Sequence, residues 1–162
     1  MNADLAATVL ERCRALGYRL VTAESCTGGL IAGALTDLAG SSDVVLGGIV
    51  AYHDDAKRRL LDVPAAILER DGAVSEATAR AMAEGAFRTF DADVAVAVTG
   101  IAGPGGATPT KPVGLVHLAV SCRGTGPHHR RAVFPGDRRQ VRRATVVAAL
   151  ALVLEALPAS AA

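Results

Sequence analysis

The chain has no tryptophan, and its two tyrosines and three phenylalanines make up 3% of 162 residues. The core therefore has to be aliphatic, and the aromatic platforms on which single-stranded nucleic acids stack are scarce. An excess of charge is also missing. Seventeen basic residues face sixteen acidic ones, for a formal net charge of +1. No global field favours nucleic acid or an anionic membrane, so any electropositive site has to be local. Cysteine is sparse: Cys13, Cys26 and Cys122 cannot all pair within one chain, and none forms a C-x-x-C spacing. Free thiols in a reducing compartment are expected. Long apolar runs are absent as well. The longest, from Val146 to Leu154, is too short to span a bilayer, so no membrane partner is expected. The opening stretch "MNADLAATVLERCRALG" carries acids early and reads as an amphipathic helix instead of a signal peptide. The expected location is cytoplasmic.

What is present is an aliphatic chain, 51% hydrophobic, long enough to bury ~70% of its unfolded surface as one domain over 1–162. Its pattern alternates. Leu5, Val9 and Leu16 suit a first helix that Gly17 ends. "YRLVTAE" reads as a strand, and "GGLIAGALTDLAG" as a helix of small residues closing on Gly40. "DVVLGGIVAY" reads as a second strand, where Gly47 and Gly48 suggest a bulge or a close approach. "DDAKRRLLDV" is a short helix with acids in its first turn, and Pro64 opens another that Gly72 ends. Ser75 is a good N-cap for "SEATARAMAEGAFRTF". "DVAVAVTG" is apolar enough for a strand buried on both faces. "VGLVHLAVSC" and "HHRRAVF" form a hairpin around "RGTGP", and Asp137 caps a long final helix. These elements predict an α/β fold: a three-layer α/β/α sandwich with a mixed, mostly parallel sheet.

Three segments put polar or glycine-rich residues at strand ends, where open α/β sheets place ligands. In "TAESCTGG" a strand runs into a helix and presents Ser25 near helical N–H groups able to hold an oxyanion. The alternative is that Ser25 or Thr27 only caps the helix. In "AYHDDAK", Tyr52 stands at a strand end and Lys57 one turn into a helix. A serine needs a base, and a desolvated lysine can supply one. Against that, Asp54 and Asp55 favour the charged amine, and a solvated surface lysine is the plainer reading. The loop "TGIAGPGGATPTKPVG" allows close backbone approach to a ligand, but it matches neither the Walker A nor the dinucleotide pattern. Arg138 and Arg142 share one face of the last helix, and Arg139 and Arg143 the adjacent one. Arginine at a helix start suggests phosphate binding, but for most of these arginines a solvated face is the plainer reading. His128 and His129 lack a further ligand at metal spacing, so no metal is expected.

Taken together and in order, "TAESCTGG", "AYHDDAK", "GAVSEATA", "TGIAGPGG…KPVG" and "FPGDRRQVR" resemble the CinA C-terminal domain family over roughly Leu5 to Leu157. Each motif alone is unspecific; five in order are not. Characterised members of that family are nicotinamide mononucleotide amidases. The resemblance implies hydrolysis of the carboxamide to nicotinic acid mononucleotide and ammonia in pyridine-nucleotide recycling, without a cofactor or metal, by a domain that is commonly a homodimer. It places the nucleophile on Ser25, the base on Lys57 and a catalytic tyrosine on Tyr52. Substrate-binding positions fall on Thr27, Gly28, Thr99, Gly100, Gly103 and Gly105, with Arg138 as the phosphate ligand. Nucleic acid is not an expected partner, although a non-catalytic competence or DNA-damage role is the competing reading. His53 and Asp54 depart from the Ser-Asn that relatives often carry. The separate N-terminal domain of larger family members, and its activity, is expected to be absent.

Overall fold

Strand β3 (Val94–Gly100) explains the layering. Val94, Val96 and Val98 point to one side of the sheet, and Ala95 and Ala97 to the other; all five are fully buried. A strand covered on both faces must lie inside, and β3 is the middle strand of five. In this computed structural model, which describes residues 2–159, the sheet order is β2-β1-β3-β4-β5. The other strands are β1 (Leu20–Glu24), β2 (Val45–Val50), β4 (Leu115–Cys122) and β5 (His128–Val133). β2, β1 and β3 pair in parallel, while β3–β4 and β4–β5 pair antiparallel. Four strands thus run the same way and only β4 opposes them. Of the expected single domain over 1–162, Met1 and residues 160–162 lie outside the described residues.

Helices cover both faces, as expected. The valine face packs against α1 (Asn2–Leu16), α2 (Leu30–Thr36) and α6 (Arg138–Ala156). The alanine face packs against α5 (Glu76–Phe90), beside α3 (Asp54–Leu61) and α4 (Ala65–Asp71). Small residues on both sides let α5 sit close to the sheet: Ala79, Ala83 and Ala86 meet Ala95, Ala97 and Ala119.

Local signals account for most element ends. Ser75 caps α5 by accepting from the Thr78 N–H at 3.1 Å. Asp137 caps α6, and Gln140 completes a reciprocal capping box, with both hydrogen bonds at 2.8 Å. The glycine pair in β2 serves two purposes. Pairing with β1 shifts register between Leu20 and Val21, and a Cβ on Gly48 would lie 2.6 Å from Thr22 Oγ1.

One helix is shorter than its pattern suggests. The segment from Gly28 to Gly40 is helical only over the seven residues of α2. Gly28 (φ +59°) and Gly29 (φ +99°) are spent on the turn that leaves β1, and the chain beyond Asp37 turns through Gly40 into a 3-10 turn at Ser41–Asp43.

Candidate functional site

β1, β2 and β3 run in parallel, so their C-terminal ends meet along one edge of the sheet. Ser25 follows β1, Tyr52 follows β2, and Thr99 and Gly100 close β3. β5 ends at the same edge and feeds α6, which brings Arg138 alongside. Together with Lys57 these residues line a cavity of about 270 Å³, completed by Cys26, His53, Asp54, Ala73, Val74 and Ala102. Six of the positions singled out from the sequence therefore converge. Thr27, Gly28, Gly103 and Gly105 do not line it. Thr27 is fully buried beneath the turn, Gly28 faces α6, and Gly105 is exposed. Gly103 contributes through its carbonyl, which accepts from Arg138 Nη1 at 3.0 Å.

Lys57 is only 1% exposed, among the largest fully buried side chains of the molecule. The reading as a solvated surface lysine is overturned. Lys57 and Leu61, one turn apart, are the two buried residues of α3, and that i,i+4 spacing was the available signal. Lys57 Nζ donates to the Tyr52 carbonyl oxygen and to Asp54 Oδ1, each at 3.4 Å, and not to Ser25. His53 accepts from the Asp55 N–H and caps α3. His53 and Asp54 both line the cavity.

Tyr52 divides its roles. Its carbonyl meets Lys57, while its hydroxyl, on a side chain at the surface, accepts from Arg138 Nη2 at 2.7 Å. Arg138 thereby bridges Tyr52 and the glycine loop at the cavity mouth. On the opposite wall the Thr99 hydroxyl donates to the Ala73 carbonyl at 2.7 Å.

The helical N–H groups expected near Ser25 are already taken. Glu24, 1% exposed, caps α2 from below: Ile31 N–H donates to Oε1 at 2.8 Å and Ala32 N–H to Oε2 at 2.9 Å. Thr27 and Thr22 hydroxyls complete its shell at 2.7 and 3.2 Å. The Ser25 N–H continues the sheet to Val98, and the Gly28 N–H closes the turn on the Ser25 carbonyl. Among the described residues, the turn amides that no main-chain carbonyl or carboxylate engages are those of Cys26, Thr27 and Gly29. Sequence reasoning missed Glu24 because its partners are backbone groups of a helix whose start was misplaced.

Arg142 was also passed over as solvated. Its guanidinium donates to the Cys26 and Thr27 carbonyls at 3.1 and 2.9 Å. The arginine face shared by Arg138 and Arg142 is the one turned to the site, through their bonds to Gly103, Tyr52, Cys26 and Thr27. Cys26, next to Ser25, is buried and lines the cavity as well. Burial pushes its thiol up to about 12, so it stays protonated at neutral pH.

The fold and this strand-edge cavity define a three-layer α/β/α domain that gathers a serine hydroxyl, a buried amine and an arginine. A family model described as the CinA C-terminal domain matches residues 2–157, and the chain belongs to that family. It is 52% identical over 141 residues to a CinA-like protein of Mycolicibacterium vanbaalenii, covering 87% of this chain and 33% of the relative. A CinA-like protein of Anaeromyxobacter dehalogenans is 51% identical over 157 residues, covering 95% of this chain and 38% of the relative. The chain thus spans about a third of the length of these curated relatives. Among solved structures it superposes on a competence/damage-inducible protein of Agrobacterium tumefaciens with a TM-score of 0.93 at 49% identity, covering 95% of this chain and 94% of that one. A CinA superfamily protein of Klebsiella pneumoniae gives 0.92 at 38%, covering 97% and 98%. No helix of the described residues is long and apolar enough to cross a membrane.

Proposed function

We propose that the domain is an amidohydrolase that removes the carboxamide nitrogen of nicotinamide mononucleotide. The observation that carries this reading is the convergence of Ser25, buried Lys57, Thr99 and Arg138 on one cavity. Ser25 Oγ attacks the carboxamide carbon and its proton passes to Lys57 Nζ, which accepts it as the neutral amine in the substrate-bound state. The developing oxyanion faces the Cys26 and Thr27 amides, the unengaged donors nearest Ser25 in the chain; one such donor contributes ~3 kcal/mol to barrier lowering. The proton then reaches the leaving nitrogen through the Tyr52 hydroxyl, ammonia departs, and water hydrolyses the acyl-serine to nicotinic acid mononucleotide. Arg138 turns from Tyr52 to the phosphate and holds the nucleotide remote from the reacting carbon, where its binding energy orients the ring.

The test is ammonia release from nicotinamide mononucleotide by wild type, Ser25→Ala and Lys57→Ala. Turnover by the wild type that both substitutions abolish is the expected result; activity persisting in Ser25→Ala rules out the serine mechanism. A second reading rests on the solved relatives' descriptions as competence/damage-inducible proteins: a nucleotide, nucleic-acid or protein-binding accessory without catalysis. A wild type that releases no ammonia but binds DNA in a salt-dependent way supports that reading.

A further inference from the structure

The turn that carries Ser25 is held from two sides by residues that do not line the cavity. Below it, the Glu24 carboxylate accepts four hydrogen bonds. They join strand β1 through Thr22, the turn through Thr27, and helix α2 through the Ile31 and Ala32 amides. From the side, Arg142 of α6 takes two successive carbonyls of the turn, those of Cys26 and Thr27. A peptide group is planar and trans, so its C=O and N–H point opposite ways. Fixing the Cys26 carbonyl toward α6 therefore directs the Thr27 N–H away from α6, and fixing the Thr27 carbonyl does the same for the Gly28 N–H. The latter closes on the Ser25 carbonyl at 3.1 Å. Gly28, in left-handed conformation, has its Cβ position 3.5 Å from Arg142 Nη2, so the guanidinium is seated against the turn's backbone. Glu24 has no ion-pair partner among the described residues. Both of its oxygens are saturated by neutral donors, and its geometry is set by them alone.

We propose that Glu24 and Arg142 form a two-sided clamp that positions the Ser25 turn, with Arg142 setting the direction of its amides. Both are positioning residues. The inference rests on Ser25 being the nucleophile, and its test does not depend on the identity of the substrate. A fluorophosphonate probe reads the nucleophile directly: a bond forms from Ser25 Oγ to phosphorus, fluoride leaves, and the hydroxyl proton goes to the base. Arg142→Ala is expected to be labelled ~10- to 100-fold more slowly than wild type, the loss that misplacement of about 1 Å causes. Millimolar methylguanidinium restores part of the labelling rate, a rescue that a merely unfolded variant would not show. Arg142→Lys recovers little, because an ammonium cannot span two carbonyls as a fork does. Glu24→Gln replaces one acceptor oxygen by a donor against converging N–H and O–H groups, and slows labelling similarly. Hydrogen exchange of the Cys26–Ala32 amides supplies a second measurement, faster in both variants well below their melting temperatures. Wild-type labelling and exchange rates in Arg142→Ala overturn the clamp. A wild type that takes no label at Ser25 overturns the serine reading instead, and the exchange data then decide the clamp on their own.

Discussion

The same substitution, glycine to alanine, should act with opposite signs at two helical positions. At Gly85, inside α5, an added Cβ would collide with the Leu61 carbonyl oxygen and lie 2.7 Å from its carbon and 3.0 Å from its Cα. The obstacle is backbone, which cannot rotate away. Normal carbon contact requires Leu61 to retreat by roughly 1 Å. Overpacking of this kind costs up to ~3 kcal/mol, and the better helix propensity of alanine offsets ~1 kcal/mol, leaving ~2 kcal/mol of destabilisation. For a chain of this size that lowers the melting temperature by ~4–8 °C. Leu61 ends α3, the helix that carries Lys57 one turn earlier, so ammonia release should fall as well. At Gly33, inside α2, an added Cβ meets nothing within 4 Å, and alanine should stabilise by ~0.4–1 kcal/mol. Urea titration and thermal melting of both variants decide the matter. A Gly85→Ala protein melting at or above wild type would refute the close α3–α5 packing on which this account rests.

Four further outcomes are expected. Lys57→Met removes a buried amine whose two contacts are long, so it should abolish turnover while leaving stability equal or up to ~2 kcal/mol higher by denaturant titration. Burial, reinforced by His129 and Arg131, lowers His117 from 6.5 to about 4. The unfolded chain therefore takes up this proton first, and stability is lost as pH falls from 6.5 toward 4; after discounting for partial solvent screening this amounts to ~2 kcal/mol. His117→Asn, which keeps an acceptor or donor for His129, should flatten that part of the pH–stability curve. Asp137→Ala removes the side-chain half of the α6 capping box, leaving the bond from its own N–H to Gln140 Oε1, and should lower stability by ~1 kcal/mol in urea titration. Cys26→Ala should retain ammonia release, since a thiol held near 12 is no nucleophile at neutral pH; its loss would reopen the choice between Ser25 and Cys26.

Much of the architecture was legible before the structure. The run Val94–Gly100 announced a strand buried on both faces, Ser75 and Asp137 marked helix starts, and the expected α/β/α layering was borne out. Where the reading slipped, a local signal had two meanings. Gly28 and Gly29 belonged to a turn, not to the helix that follows. Lys57 sat among charges in the sequence and inside the protein in space.

The sequence by itself determined the order and kind of the elements, their caps and their apolar faces, because those depend on neighbours within a few residues. Its five ordered motifs also determined the family. Only the tertiary structure decided that Lys57 is buried, that Glu24 caps α2 from beneath, and that Arg142 grips the Ser25 turn across 116 positions of chain. Burial and the direction of a side chain are properties of which distant segments pack together. Three parallel strands ending on one edge bring those segments to Ser25, and no local pattern specifies that meeting.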